Sequence, residues 1–511
     1  MKLKTLAALI CAATLLLCAV SGCTIQPSAP AQTPAPPTPE PAPKENTLTV
    51  RVISVQDGVV TAESGKLSGS GDFIASNDGG TVEFTVGPDA LVSAGSKESP
   101  ANEAPASAIQ EQAILEVTLV DNAAASVIIK AAPVSTPEPV YNGTAAVSIS
   151  KDCIIDGETY ASEAPDENAL RVEGAVVTLG NITIEKPARE CSNPEAGSLH
   201  GMNAALLAQS GAAVSIQNAA ITSDAMNGNG VFSYGPGAAV TAADSVIRTS
   251  GQDSCGLRAT YGAGLNALRL AVETRGDSSP AISGNRSTIS IEGGNYMTYG
   301  KQSPAIYSAA GVSAADAAFA SESSAAAVID GAGSISLINC ALNGNMQEGN
   351  DEAILTGPYN ILLHDSGSDD IEGDARFLAA GGSITARSGD MFNILNTACT
   401  IELSDVLLTL ANDVLMRVSG SACTFSASDQ HLIGDILVDK LSSLELSLSR
   451  GCVFGGAINP DGQAGNVSMV LGDDCTWLMT ADSYLTAFDG DPAKIITNGH
   501  TLHINGQPYF S

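Results

Sequence analysis

The sequence is poor in positive charge and in aromatic residues, and each shortage excludes a class of protein. Of its 511 residues only 23 are Lys or Arg, against 55 Asp or Glu, which gives a formal net charge of −32. Phosphate backbones repel so acidic a chain, so nucleic acid is excluded as a partner. There are 10 Phe, 10 Tyr and one Trp beside 51 Gly. This composition is typical of many short strands joined by tight turns and disfavours a helical enzyme.

Histidine is also scarce, and the chain lacks the residue patterns that usually carry catalysis. The five histidines are His200, His364, His431, His500 and His503. Their spacing matches neither a Ser-His-Asp arrangement nor a zinc site, and no glycine loop of the phosphate-binding type is present. The motif set of polygalacturonases is missing as well. The sequence therefore predicts no catalytic residue and no cofactor.

The N-terminus has the pattern of an export signal that ends in a cysteine. Lys2 and Lys4 precede an apolar run over 6–20, which is shorter than the roughly 20 residues that span a bilayer. The run ends in Val20-Ser21-Gly22-Cys23, which resembles the bacterial lipoprotein box. The resemblance implies that residues 1–22 are removed and that Cys23 carries a lipid, which would anchor the protein on the outer side of the cell membrane. An ordinary secretory signal followed by a chance cysteine is the alternative.

Two proline-rich stretches divide the rest of the chain. The first follows Cys23 and predicts an extended, semi-rigid stalk over 23–45. The second contains Pro133, Pro137 and Pro139 and predicts a hinge. No other apolar run approaches bilayer length, so the lipid is the expected membrane contact.

Between these stretches, residues 46–132 alternate between apolar and polar with a period of two, which indicates strands with one buried face. Asp57-Gly58 predicts a hairpin turn. About five strands over this length suggest a small β-barrel or sandwich. The pattern resembles the small barrel modules that follow the stalk in surface lipoproteins of Gram-positive bacteria.

From about residue 140 to residue 511 the chain repeats three short strand signals every 22–26 residues. One signal begins with an apolar residue in the order Leu206, Val231, Leu257, Ile282, Ile306 and Val328. Another contains Ile221, Ile247, Val272, Tyr296, Phe319 and Leu342. Three strands per repeat of this length predict a parallel β-helix, with roughly 15 coils stacked about 4.8 Å apart. The predicted solenoid resembles the right-handed parallel β-helices of the pectate-lyase-like type. A β-propeller blade needs about 40 residues, so it fits this period poorly.

Within 140–505 several short segments resemble adhesin-like β-helix surface lipoproteins of Gram-positive gut bacteria. The matching segments are Gly293-Gly294-Asn295-Tyr296, Ser303-Pro304-Ala305-Ile306-Tyr307-Ser308, Ser388-Gly389-Asp390-Met391-Phe392, Gly434-Asp435-Ile436 and 476–484. The resemblance implies a surface-exposed β-helix and says little about chemistry.

Four of the eight cysteines after Cys23 occur in one pattern, Cys-x-apolar, at Cys399, Cys423, Cys452 and Cys475. In a strand, residues two apart face the same way, so each of these cysteines is predicted to point inward. Cys399 and Cys423 are one coil apart, which would bring their Cα atoms to about 4.8 Å, within the range for a disulfide. The alternative is a column of buried thiols, favoured by the parallel Cβ directions. The spacing predicts no metal site among these thiols.

Two further sets of residues are candidate sites. Asp365, Asp369, Asp370, Glu372 and Asp374 offer oxygen ligands for calcium, but their spacing matches no known calcium loop, so a hydrated acidic loop is the alternative. The tyrosines expected at outward positions or strand ends in neighbouring coils are Tyr234, Tyr261, Tyr299 and Tyr307. They could form an aromatic contact surface.

Taken together, the sequence predicts a lipid-anchored, monomeric, non-catalytic surface protein that presents its β-helix to glycans or to proteins of other cells. Three alternatives are left open by these residues. One is a polysaccharide lyase or glycoside hydrolase of the β-helix class, another is a lipoprotein that captures glycans for uptake, and the third is a purely structural component of the cell envelope.

Overall fold

The computed structural model describes residues 45–131 and 141–510, apart from positions 57, 68–72, 76–80, 88–89, 95–101, 104–108, 110–112, 121, 348–356, 368–372 and 463–464. Contacts divide the chain into two compact units, Met1–Pro133 and Val134–Ser511. The predicted leader, Cys23 and the stalk up to residue 44 lie outside the described residues. Among the described residues, no helix has the length and apolar character needed to cross a membrane.

The first unit is a small β module with eight strands, three more than the sequence predicts. They are β1 Glu45–Gln56, β2 Val59–Leu67, β3 Phe73–Ala75, β4 Thr81–Thr85, β5 Leu91–Ala94, β6 Asn102–Glu103, β7 Ile114–Val120 and β8 Ala123–Ala131. The predicted hairpin joins β1 to β2, with Gln56 opposite Val59 and with Gly58 at a φ of 79°. Alternate residues of β7 are buried, so this period-two pattern marks a real core face.

The second unit is a parallel β-solenoid, as predicted, and its strands form three stacked faces. Face A contains β9 Thr144–Ile149, β12 Glu167–Glu173, β15 Leu206–Gln209, β18 Val231–Tyr234, β21 Leu257–Thr260, β28 Ala327–Asp330, β31 Tyr359–His364, β34 Asp390–Leu395, β37 Val414–Ser419 and β40 Asp435–Val438. Strands β24 Ile282–Glu292 and β26 Ile306–Ala315 run from face A into face B without a break.

Face B continues the chain after each corner. Its other strands are β10 Cys153–Asp156, β13 Val176–Gly180, β16 Ala213–Gln217, β19 Ala239–Ala243, β22 Gly264–Leu268, β29 Ser334–Ile338, β32 Ala375–Ala380, β35 Ala398–Ser404, β38 Ala422–Ser428, β41 Ser443–Ser449, β43 Asn466–Leu471 and β46 Ala487–Gly490.

Face C closes each turn. Its strands are β11 Thr159–Ala161, β14 Thr183–Lys186, β17 Ala220–Ser223, β20 Val246–Thr249, β23 Ala271–Thr274, β25 Asn295–Thr298, β27 Ala318–Ser321, β30 Ala341–Gly344, β33 Ser383–Ala386, β36 Leu407–Thr409, β39 His431–Ile433, β42 Val453–Gly455, β44 Thr476–Leu478 and β47 Ile495–Ile496. A small three-stranded sheet near the C-terminus contains β45 Ser483–Leu485, β48 Leu502–Ile504 and β49 Gln507–Phe510.

The corner between faces B and C is sharp because one residue per turn adopts a left-handed conformation. The non-glycine residues at this corner have φ between 49° and 54°, and they include Asn181, Asn218, Asp244, Arg269, Asp316, Asn339, Asp405 and Asp429. Asn and Asp tolerate this conformation better than other side chains, which explains why they recur there.

The predicted repeat signals lie in register, with one correction. Ile221, Ile247, Val272 and the rest of that series pair from strand to strand and are buried on face C. The other series breaks at its end, because Ile306 pairs with Ala327 while Val328 pairs with the outward-facing Tyr307. The coil before β28 is one residue shorter than the pattern indicates, so Val328 points away from the core.

The solenoid has about 13 turns, fewer than the 15 that its length predicts. Three long connections between strands, here called excursions, account for the difference. The first lies between β14 and β15 and contains the helix α1 Pro194–His200. The other two lie between β30 and β31 and between β31 and β32. An excursion lengthens the chain without adding a strand to the stack.

Candidate binding surfaces

The helix α1 folds over the outer side of face A and covers side chains that point away from the core. Asn193 caps the helix by accepting a hydrogen bond from the Ala196 backbone N–H at 3.0 Å, and Pro194 follows in the first turn. Gly201 ends the helix at a φ of 77°. Beneath this segment the outward-facing Leu207 and Phe232 are fully buried. The outer side of face A is therefore partly a second, smaller core.

Beside this covered region, four rings from separate parts of the chain form an aromatic cluster. The ring of His200 lies 4.9 Å from that of Tyr141, 5.2 Å from that of Tyr234 and 5.5 Å from that of Tyr261. Tyr234 and Tyr261 also meet edge to face at 5.9 Å. Tyr141 is 41% exposed, and the other three rings are half-buried. We call Tyr141, His200, Tyr234 and Tyr261 the aromatic cluster.

Hydrogen bonds fix His200 at the centre of the aromatic cluster. Its Nδ1 lies 3.0 Å from the hydroxyl of Tyr234, and its backbone carbonyl accepts a hydrogen bond from Asn142 at 2.7 Å. Thr260 donates to the carbonyl of Leu199 at 2.8 Å, which ties the end of α1 to β21. Burial lowers the pKa of His200 from its ordinary value, so the imidazole is neutral at pH 7. The cluster is thus an uncharged, rigid aromatic surface.

The other two predicted tyrosines lie elsewhere, so the four do not form one surface. Tyr299 follows β25 on face C, and the guanidinium of Arg275 lies 4.5 Å from its ring centre. Tyr307 lies on face A, where its hydroxyl donates to the carboxylate of Asp330 at 2.6 Å. Tyr299 is separated from Tyr234 because it follows a strand of face C, whereas Tyr307 shares face A with Tyr234 but lies three strands further along the stack. The prediction also missed Tyr141 and His200, which α1 and the start of the solenoid bring to the cluster.

Asp330 is a buried, hydrogen-bonded carboxylate on face A, and its environment does not suit acid catalysis. It is 4% exposed and accepts hydrogen bonds from Tyr307 and from the backbone and hydroxyl of Ser366, the last two at 2.8 and 2.7 Å. Burial acts to raise the pKa of Asp330, but these hydrogen bonds lower it overall. A carboxyl group held in its ionised form cannot donate the proton that glycoside hydrolysis requires.

A shallow groove follows the outer side of face B and was not predicted. Its volume is about 480 Å³, and it crosses five successive strands from β29 to β41, a length of about 19 Å at the usual strand spacing. Its lining combines apolar side chains, such as Ile338 and Leu378, with polar ones: Ser336, Glu402, Ser404, Ser426, Ser428, Ser449 and Arg450. The repeated Ser-x-Ser pattern of the face B strands is the sequence signal that could have located it.

The eight described cysteines are free, and all of them except Cys153 are buried. Cys399 and Cys423 pair directly on face B, and Cys452 and Cys475 precede adjacent strands on face C. All four point inward, as their pattern predicts. The Cys399 thiol hydrogen-bonds to that of Cys423, and this bond together with burial raises the pKa of Cys423. The arrangement in the structure is therefore two stacked pairs of buried thiols, one on face B and one beside face C, with low reactivity.

We expect thiol titration to distinguish free, buried thiols from a disulfide. The chain from residue 23 with Cys23→Ser contains eight cysteines, of which only Cys153 is partly accessible. Without reductant, Ellman's reagent should modify at most one thiol in the native protein and eight after denaturation, because buried, protonated thiols react slowly. Cys153→Ser should remove the native signal. A count of six in denaturant would indicate that one pair is oxidised.

Of the five residues of the predicted calcium loop, Asp365 and Asp374 lie among the described residues. Asp369, Asp370 and Glu372 lie outside the described residues. Asp365 accepts a hydrogen bond from the Gly367 backbone at 2.8 Å, and Asp374 is exposed. Within the described ranges, no group of three or more His, Cys, Asp or Glu residues is placed to hold a metal ion.

Comparison of the chain with protein families, with curated proteins and with solved structures finds no match.

Proposed function

We propose that this protein is a lipid-anchored surface protein whose β-solenoid binds glycans without cleaving them, in the manner of the adhesin-like lipoproteins that its sequence resembles. The observation that carries the proposal is the aromatic cluster. The sequence has only 10 Tyr and one Trp, yet three tyrosines and a histidine meet at one place on the outer surface.

An aromatic ring offers a flat apolar face to the C–H groups of a sugar, while a nearby hydroxyl can bind the sugar's polar edge. The aromatic cluster combines both features. Tyr141 is the most exposed ring, and Tyr261 stacks on His200 with an interplanar angle of 11°. Because His200 is neutral at pH 7, the cluster does not depend on charge to hold its shape. A rigid surface of this kind loses little conformational entropy when a ligand binds.

The groove on face B supports an extended ligand rather than a single sugar. Its length of about 19 Å matches several sugar units, and its serine hydroxyls both donate and accept hydrogen bonds. Open grooves of this shape leave most of a chain-like ligand exposed. We therefore expect weak binding at each place, strengthened by repeated contacts along a polymer.

A glycan array probed with the chain from residue 23, carrying Cys23→Ser, tests the proposal. We expect binding to a subset of glycans and at least a fivefold loss of signal for Tyr261→Ala and for Tyr141→Ala, because each removes a stacking face. Tyr299→Ala is the matched control, since it removes a tyrosine on face C, and it should leave binding unchanged. Circular dichroism verifies that each variant is folded.

Two results would contradict the proposal. Equal loss of binding in all three variants would show that the aromatic cluster is not the contact surface. Release of shorter fragments from a bound polysaccharide, measured by chromatography, would show an enzyme of the β-helix class.

A further inference from the structure

A second cavity lies on the outer side of face A, near the C-terminal end of the solenoid and in different coils from the aromatic cluster. Its volume is about 430 Å³, which accommodates one sugar ring. Arg417 and Leu437 form its floor on neighbouring strands, β37 and β40, where they are paired. Lys440 and Leu441 form one wall, and Leu441 is 88% exposed. Asn459 comes from the next coil.

Three residues that line this cavity each have a hydrogen-bond donor group without a partner among the described residues. Asn459 is 2% exposed, and its Nδ2 has no acceptor, although its Oδ1 accepts a hydrogen bond from Val438 at 2.6 Å. The ammonium of Lys440 is exposed and forms no ion pair within the described part of the chain. Arg417 uses its Nε to bind the buried Asp390 at 2.7 Å, which leaves its terminal nitrogens for other contacts.

The acceptors that line the same cavity are already occupied. The Asp439 carboxylate accepts hydrogen bonds from the backbone of Gly420 at 3.1 Å and of Leu441 at 3.0 Å, and from the hydroxyl of Ser442 at 2.6 Å. Burial acts to raise the pKa of Asp439, but these bonds lower it overall, so the carboxylate is held in its ionised form by groups of the chain itself. Asp461 also has a partner within the chain.

From this imbalance we propose that the cavity binds a sugar that carries a carboxylate. A ligand can supply acceptors for the charged donors of Arg417 and Lys440, and a carboxylate supplies two oxygens with a full charge. Leu437 and Leu441 offer apolar contact for the C–H face of a sugar ring. A neutral sugar satisfies the site less well, because a hydroxyl in place of the carboxylate carries no charge and forms a weaker hydrogen bond to Arg417 or Lys440. This inference concerns a separate site and does not rest on the aromatic cluster.

Calorimetric titration of the chain from residue 23, carrying Cys23→Ser, with glucuronate and with glucose tests the inference, since the two sugars differ at C6 alone. We expect glucuronate to bind at least tenfold more tightly. Lys440→Ala should weaken glucuronate binding about tenfold, because it removes a charged donor. Asn459→Asp keeps the acceptor for Val438 and tolerates the φ of 50°, but it replaces the free donor by a negative charge and should abolish binding.

Lys301→Ala is the control, because Lys301 is an exposed lysine in another coil. It should leave the affinity unchanged. Equal affinity for the two sugars, absence of glucuronate binding at 10 mM, or full affinity in Lys440→Ala would each overturn the inference. If Asn459→Asp does not fold, Lys440→Ala still decides, since this exposed side chain has no structural partner. A loss in Lys440→Ala with normal binding in Tyr261→Ala distinguishes this site from the aromatic cluster.

Discussion

Gly276→Ala is expected to destabilise the solenoid by more than about 4 kcal/mol or to prevent its folding. Gly276 lies at the corner between faces C and A, where it stacks on Gly251 of the preceding coil. A Cβ atom on this residue would lie 1.8 Å from the carbonyl oxygen of Gly251 in the coil below. Gly300 meets Gly276 in the same way at 1.9 Å. The side chain cannot rotate away, so the coils would have to separate.

Separation would also break the buried hydrogen bonds that join these coils. The Ser279 hydroxyl accepts from the Ser254 backbone at 2.9 Å and donates to the carbonyl of Gly251 at 3.1 Å. Each buried polar group left without a partner costs about 1–3 kcal/mol. The steric and polar penalties therefore act in the same direction.

Thermal unfolding followed by circular dichroism measures the effect, and Gly264→Ala is the matched control. Gly264 lies on the outer side of face B twelve positions earlier, and its nearest contact would be 3.9 Å from an added Cβ. We expect Gly264→Ala to change stability by no more than about 0.5 kcal/mol. Equal melting temperatures for the two variants would show that the C–A corner does not set the coil spacing.

Trp477→Ala should have the second largest effect, a loss of about 3–5 kcal/mol. The indole is fully buried, stacks on Phe454 at 5.9 Å, and donates a hydrogen bond from Nε1 to the carbonyl of Gly456 at 2.9 Å. Truncation creates a cavity and leaves that carbonyl without its donor. Trp477→Phe fills most of the space and should cost about half as much, because only the hydrogen bond and part of the stacking are lost.

Chemical denaturation measures these losses, and the single tryptophan adds a local signal. In the wild-type protein, emission should be blue-shifted and should move to longer wavelength as the C-terminal coils unfold. Coils of a solenoid contact their neighbours alone, so the terminal coils can open before the rest. If Trp477→Ala unfolds at the wild-type denaturant concentration by circular dichroism, packing around the indole does not support the stack.

The solenoid could be predicted because each coil must bury apolar side chains at the same inward-facing positions. Ile221, Ile247 and Val272 face the core at intervals close to one coil, and strands that stack in register must preserve those intervals. The wrong prediction at Val328 also comes from this reliance on a constant interval. The coil before β28 is one residue shorter, so Ala327 faces the core where the interval predicts Val328. Because the residues on both sides of Ala327 are apolar, the sequence pattern does not show this shift.

The binding surfaces were harder to predict because their residues come from different coils and from excursions. Tyr234 and Tyr261 follow the repeat, but His200 reaches them through the helix α1. The binding properties of the cavity at Arg417 depend on which of its donors and acceptors already have partners within the chain. Side-chain partners of this kind cannot be read from spacing.

The chain's order of amino acids was sufficient to determine that strands stack in parallel and which side chains fill the interior, because a fixed period and alternating polarity permit little else. Tertiary structure alone decided what lies on the outside. Excursions such as α1 cover parts of face A, and the hydrogen bonds of each coil leave a few donors unpaired. These outcomes depend on contacts between residues that are distant in the chain, which no local pattern records.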